Sequence, residues 1–316
     1  MYKGKNVVAV VPAYNEETQI SKVVETMPDF VDTIVIVDDK SRDRTVEIVK
    51  NLQKDNARVL LLCHEANQGV GGAIATGYKW ARDNDADIAV VMAGDGQMDP
   101  ADLPVLLDPV VGNDVDYSKG NRLVYEDAYQ IIPKTRFFGN SVLSYLTKIA
   151  SGYWNIADSQ AGYTAISKKA LHAIGWDSMY KRYGQPNDLL VRLNVLNMMV
   201  RDVPIRPVYH VGETSGIKIH KVIFTISFLL LRLFYWRLWK KYVIQDAHPL
   251  ALFIFFGTGL FLLSFIFLLR VLIFWVMDGS APIMSSLAMM FSFSVGAQSI
   301  FFGIWMDMDK NRRLNN

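Results

Sequence analysis

The sequence has one cysteine in 316 residues, Cys63, so no internal disulfide can form and no cross-linked framework defines the fold. Cys63 closes the apolar run 59–63, which predicts a buried core thiol rather than a nucleophile. Neither sign of charge dominates: 33 Lys and Arg against 31 Asp and Glu leave a formal net charge of +2. Outside the segment 232–241 there is no concentrated basic face, which argues against nucleic acid as a partner. Residues 1–17 lack the uninterrupted apolar core of a signal peptide, so the N-terminal portion is expected to stay in the cytoplasm. No internal repeat or low-complexity tract is visible.

What the chain has is apolar length at one end. Residues 249–277 carry one charge, Arg270, and residues 281–306 carry none. Each stretch exceeds the roughly 20 residues that cross a bilayer core as a helix. Just before them, 222–239 is apolar as far as Leu231 and then carries Arg232 and Arg237, with Lys240 and Lys241 following. On an ideal helix these cations share about half a turn, interleaved with Tyr235, Trp236 and Trp239. That pattern predicts a helix lying in the membrane interface, cations towards the headgroups. Two spans also return the basic tail (Lys310, Arg312, Arg313) to the side of Lys240 and Lys241, as the positive-inside rule asks; a third span at 222–239 would separate those clusters.

The first half alternates short β-branched runs (6–11, 33–37, 58–63, 87–92) with helical patterns (18–27, 44–54, 73–84). Such alternation predicts an α/β fold with a mostly parallel sheet covered on both faces. Ligands of these sheets collect beyond the carboxyl ends of the strands. Asp38 and Asp39 end the second strand; their carboxylates can accept from a base or ribose hydroxyls, or simply cap a turn. Asp95 and Gln97, flanking Gly96, can bring two oxygens to one hard cation. Asp99-Pro100 is expected to cap the next helix. The run Gly69-Val70-Gly71-Gly72 opens a helix, but Ile74 stands where a dinucleotide loop needs its third glycine, so a close helix–sheet packing turn is expected. Residues 137–207 read as a helix, a short strand and a second helix that shape an acceptor site.

In order and spacing, Pro12-Ala13-Tyr14-Asn15-Glu16-Glu17, Val37-Asp38-Asp39-Lys40-Ser41, Asp95-Gly96-Gln97, Gly120-Asn121-Arg122 and Asp158-Ser159-Gln160-Ala161-Gly162-Tyr163 resemble the motifs of family 2 glycosyltransferases. With the C-terminal apolar stretches, the whole chain is similar to the polyprenyl-phosphate branch of that family, the dolichol-phosphate mannose synthases among them. The resemblance implies a Rossmann-like GT-A fold, a nucleoside diphosphate sugar donor, Mg2+ or Mn2+, and inverting transfer of a hexose to a polyprenyl phosphate for cell-envelope glycan or protein glycosylation. By match, Pro12, Tyr14, Glu16, Asp38, Asp39 and Lys218 would bind the donor, and Asp95 and Gln97 the metal. Arg122 and Arg136 would face phosphates, and Asp158 would serve the acceptor side. One departure stands out: the family's metal motif opens with another aspartate, and Ala93 holds that place.

These readings predict a cytoplasmic GT-A domain at 1–218, an amphipathic interfacial region at 219–247, and a two-helix anchor with a short cytoplasmic tail at 248–316. Self-association is compatible with so small an anchor. The donor stays open between a UDP-hexose, slightly favoured, and GDP-mannose. Two other activities stay open: transfer to a hydroxyl lipid such as ceramide or diacylglycerol, and a silent nucleotide-sugar-binding membrane protein.

Overall fold

A computed structural model of the chain describes residues 1–124, 134–208 and 219–314, with the side chains of 134–136 and 219–223 outside the description. Arg136 and Lys218, both expected at the site, therefore fall outside the described side chains. In chain order the N-terminal part runs β1 (Val7–Ala13), α1 (Ile20–Glu25), β2 (Thr33–Asp38), α2 (Thr45–Asp55), β3 (Val59–Cys63), α3 (Val70–Asp83), β4 (Ile88–Val91), α4 (Leu103–Val111), β5 (Tyr117–Asn121), α5 (Lys134–Ser151), β6 (Thr164–Ser167), α6 (Lys168–Ala173), α7 (Gln185–Val195), β7 (Val200–Pro204) and α8 (Ile219–Arg237). The strands form one sheet in the order β3-β2-β1-β4-β6-β5-β7. β1 to β4 are mutually parallel, β6 runs antiparallel to both neighbours, and β7 is parallel to β5.

The sheet forms where the sequence is richest in β-branched residues. β1 is buried at every position, so alternate side chains feed two cores. Val8, Val10, Val35 and Val37 join Tyr78 and Trp176 on one face. Val7, Ala9, Val11, Ile34 and Ile36 join Val23 and Leu106 on the other. The order of strands brings the carboxyl ends of β1, β2 and β4 together at one edge, with the loop before β6 beside them.

Two expectations need correction here. Cys63 is exposed, not buried. β3 is the edge strand, so its last residue is flanked within the sheet on one side only, by β2. The glycine run does make a close approach, but not to the sheet: a Cβ on Gly69, whose φ is +83°, would stand 2.6 Å from the Lys181 carbonyl oxygen. Gly71 likewise abuts the segment 180–185, whereas the helix–sheet contact belongs to Gly77, packed on Val10. The cap is as expected: Asp99 accepts from the Ala101 N–H at 2.9 Å and opens the short helix Pro100–Asp102.

The chain divides into two compact units, the first reaching Phe234 and recovering the chain end from Arg313, the second spanning Tyr235–Arg312. The second unit holds a π-helical segment, Leu238–Gln245, then α9 (Leu250–Asp278) and α10 (Ile283–Lys310). With peak mean hydropathies of 2.6 and 1.6, α9 and α10 are long and apolar enough to cross a membrane. They meet through small residues. A Cβ on Gly257 would lie 2.9 Å from the Gly296 carbonyl oxygen, and one on Gly296 would lie 3.0 Å from that of Gly257. Such close backbone approach is the usual way apolar helices associate in lipid.

The basic segment does not present its four cations on one solvated face. Arg232 and Lys240 are exposed, but Arg237 and Lys241 are buried. Arg237 donates two bonds to Asp307, at 2.7 and 2.9 Å, and Lys241 donates to Asn311 at 2.9 Å. The Tyr242 hydroxyl donates to Asp307 and accepts from Asn311. For Lys241 the ideal wheel fails because Leu238–Gln245 is π-helical, and each wider turn rotates the following residues away from their 3.6-residue positions; Arg237, the last residue of α8, is taken inward by its pairing with Asp307.

Candidate active site

The site grows from backbone turns at the strand ends. At the end of β1, Asn15 adopts φ +58°, and after β2 Lys40 adopts φ +64°. The two turns are laced together. The Asn15 N–H donates to the Ser41 hydroxyl, the Arg42 N–H to the Asn15 side chain, and the Glu16 N–H to the Thr45 hydroxyl. Pro12 is buried within β1 and its carbonyl accepts from the Gly94 N–H at 3.2 Å, which ties the loop after β4 to the same edge. Tyr14 projects outward, exposed.

Asp38 and Asp39 divide their work. The Asp38 carboxylate accepts from the Ser41 N–H at 3.1 Å. Asp39 is saturated by its own chain, accepting from the Gln68 and Gly69 N–H groups at 2.7 Å each and meeting His64 Nδ1 at 2.8 Å. It anchors the loop that leads into α3.

The loop after β4 carries Asp95 and Gln97, and the Gln97 N–H donates to the Asp95 carboxylate at 3.1 Å. Glu16 runs beside this loop; a Cβ on Gly94 would stand 3.5 Å from Glu16 Cγ. Burial, then the charges of Asp95 and Asp43, push the Glu16 carboxyl up to about 7. Two carboxylates crowded at the carboxyl ends of β1 and β4, with the Gln97 side chain two residues beyond Asp95 in the same loop, suit a hard divalent cation. Among the described residues no group of three or more His, Cys, Asp or Glu side chains is placed to hold a metal. Protein oxygens alone would then leave most of an octahedral shell to diphosphate and water, which is how such a cation commonly binds.

On the acceptor side, Asp158 has no exposed side-chain surface. Arg122 grips it with Nε at 2.8 Å and Nη2 at 3.2 Å, and the Arg122 and Gln160 backbone N–H groups add bonds at 3.2 Å. Burial alone would raise this carboxyl. The Arg122 charge and hydrogen bonds, helped by Lys119, outweigh burial and hold it below the ordinary aspartate range.

Beneath this pair lies a cluster that sequence reasoning missed. Lys119, fully buried in β5, donates to the Ala161 carbonyl at 2.6 Å and so holds the loop that carries Asp158. Burial draws its ammonium down to about 8, against the pull of Asp158 and Asp202. Asp202 on β7 accepts from Asn121 and the Ala157 N–H, and burial pushes it up to about 6. A lysine inside Tyr117–Asn121 and an aspartate inside Val200–Pro204 were the available signals; only a strand assignment shows that both point inward.

The sheet order, with its antiparallel β6 and the carboxylates gathered at the ends of β1, β2 and β4, defines a GT-A glycosyltransferase. The chain belongs to glycosyltransferase family 2: the profile described as "Glycosyl transferase family 2" matches residues 8–175. The UDP-N-acetylglucosamine–dolichyl-phosphate N-acetylglucosaminyltransferase of Methanococcus voltae is 35% identical over 218 residues, 65% of this chain and 86% of that one. The undecaprenyl-phosphate mannosyltransferase of Micrococcus luteus is 30% identical over 202 residues, 63% of this chain and 82% of that one. Glucosyl-3-phosphoglycerate synthase from Mycobacterium tuberculosis, solved with Mn2+, UDP and glucosyl-3-phosphoglycerate, superposes with a TM-score of 0.53 at 17% identity, covering 74% of this chain and 80% of that one. At that identity the likeness concerns the fold.

Proposed function

We propose that this glycosyltransferase moves a hexose, with inversion, from a nucleoside diphosphate sugar to a membrane polyprenyl phosphate. The observation that carries the reading is the state of Asp158. A buried carboxylate held ionised by a bidentate arginine is a poor proton acceptor. A hydroxyl acceptor needs a base; a phosphate monoester, with its second pKa near ~6, arrives already mostly dianionic. The similarity to two polyprenyl-phosphate sugar transferases supports the same choice.

In this reading Tyr14, Glu16 and Asp38 face the donor, while Pro12 and Asp39 position the loops around it. Asp95 and Gln97 would hold the cation, Mg2+ or Mn2+, with Glu16 supplying the charge that Ala93 cannot. When bound, that cation would neutralise charge on the departing diphosphate. Arg122 is preorganised by Asp158 and presents its guanidinium edge to phosphate, a bidentate role lysine cannot match. Lys119 holds the Asp158 loop in register. Arg136 and Lys218 keep their expected roles on the sequence match alone. Residues 1–218 form the catalytic domain on the cytoplasmic side, 219–247 lie at the interface and 248–316 anchor the chain.

A panel of radiolabelled UDP-N-acetylglucosamine, UDP-glucose and GDP-mannose, offered with polyprenyl phosphate, ceramide or diacylglycerol, tests this directly. Lipid-extractable label is expected only with the phosphate acceptor. Label confined to the hydroxyl lipids, or none at all, would overturn the reading.

A further inference from the structure

β7 pairs with β5 in parallel, and the register sets Asp202 directly opposite Lys119. Opposite residues of paired strands share a face, as do residues two apart on one strand, so Lys119, Asn121 and Asp202 lie on the same side of the sheet. There Asp202 Oδ2 accepts from the Asn121 side-chain N–H at 2.9 Å and from the Ala157 backbone N–H at 2.7 Å. Asn121 is the residue before Arg122, and Ala157 is the residue before Asp158. A single carboxylate oxygen thus ties together the two segments, 36 residues apart in the chain, that deliver the ion pair. Lys119 donates to the Ala161 carbonyl on the far side of Asp158, so the loop is held on both flanks.

Packing does not account for an acid at this position. The other oxygen, Oδ1, is buried and has no hydrogen-bond partner among the described residues. Burial raises the carboxyl from 3.8 to about 6; the charge of Asp158 adds to the rise, and Lys119 and the Ala157 N–H oppose it. Tyr117 of β5 is a further titratable group that the Asp202 charge reaches, and Arg122 is taken up by Asp158. A carboxyl raised in this way costs the fold stability as pH climbs from its ordinary value through the folded one. An asparagine would keep the shape and an acceptor oxygen without that cost. What the ionised form adds is strength, because an N–H bonded to a carboxylate is held roughly twice as strongly as one bonded to a neutral oxygen.

We propose that Asp202 is a positioning residue of the transfer site: its carboxylate staples the strand end that carries Arg122 to the loop that carries Asp158, and only the ionised form holds the staple tight. The guanidinium edge offered to phosphate is then set from within the sheet, by a residue behind the ion pair. Asp202 acts in this way on the transfer only if Arg122 and Asp158 serve it as proposed above.

The test uses the full chain in nanodiscs. Hydrogen–deuterium exchange, corrected for intrinsic rates, reads the staple at the Ala157 amide. Asp202→Asn should lower the protection of that amide about tenfold at pH 8, with the amides of β1 and β2 unchanged. In the unaltered chain the same protection should fall as pH drops through about 6, and in the variant it should not follow pH. Asp116→Asn is the control, because Asp116 accepts from the Met199 N–H at the start of the same two strands. Unchanged protection in Asp202→Asn, or an equal loss at Ala157 in Asp116→Asn, overturns the proposal. Transfer to polyprenyl phosphate supplies the second arm. Asp202→Asn should lower kcat about tenfold with donor affinity, by calorimetry, unchanged, and should lower it no further in an Asp158→Asn background. An equal loss in both backgrounds would show that Asp202 does not act through the ion pair. The exchange arm needs no turnover, so a chain that labels no polyprenyl phosphate would sink the enzymatic reading and leave the staple standing.

Discussion

Glu16 and Asp158 are both carboxylates at the mouth of one sheet, yet their surroundings drive them in opposite directions. Glu16 is raised to about 7 by burial and by Asp95, whereas Asp158 is held low by Arg122. The first stands beside the loop proposed to hold a cation, the second against a cation already built in, Arg122. Glu16 ionises in the unfolded chain near its ordinary 4.5 and in the folded one near 7, so its ionisation costs stability as pH rises through that window. Glu16→Gln should therefore raise unfolding stability at pH 8 by about 1 kcal/mol, once solvent screening of a half-buried group is allowed for, and leave it unchanged at pH 4. Thermal unfolding followed by tryptophan fluorescence measures this, and an equal effect at both pH values would refute it. Asp95→Ala should cost about 10²-fold or more in turnover and weaken Mn2+ binding seen by electron paramagnetic resonance. Normal turnover at saturating metal would move the cation site elsewhere. Asp158→Asn should lower kcat by a similar factor with donor affinity, by calorimetry, almost unchanged. A pure loss of donor affinity would place the residue in the nucleotide pocket instead.

At the scale of elements, the buried network between the π-helical segment and the end of α10 is the feature with most at stake. Arg237 and Asp307 are both almost fully buried and pair through two hydrogen bonds. Removing one partner leaves an uncompensated buried charge, which typically costs about 3–5 kcal/mol. Asp307→Ala should thus destabilise the second unit by about that amount, read as a lower midpoint in detergent. Replacing both partners together, Arg237→Met with Asp307→Leu, should recover most of it. A double variant as unstable as the single one would show that the pair is not the source. The glycine contact makes an independent demand: Gly296→Leu cannot fit against the Gly257 backbone and should separate α9 from α10.

For the whole molecule, the decisive question is which side of the membrane carries the catalytic unit. The positive-inside rule, applied to Lys240, Lys310, Arg312 and Arg313, predicts the unit and the tail on the cytoplasmic side and residues 279–282 outside. In a Cys63→Ser background, Ser280→Cys should react with a membrane-impermeant maleimide in intact cells, and Lys50→Cys only after lysis. The reverse pattern would invert the topology.

Much of this was legible in the chain itself. Alternating β-branched and helical runs gave the parallel half of the sheet, because strands buried on both faces must be apolar throughout. The five motifs brought out the family, and the apolar lengths brought out α9 and α10. The polar strand β5 and the short β7 did not announce themselves, and with them went Lys119 and Asp202. Sequence periodicity also assigned Arg237 and Lys241 to a solvated face, where Arg237 at the end of α8 instead pairs with Asp307 and Lys241, inside the π-helical segment, donates to Asn311. Local pattern fixes what a segment can bury. Which of two equally placed carboxylates is neutralised and which cation is paired depend on partners far away in the chain, and only folding in three dimensions supplies those partners.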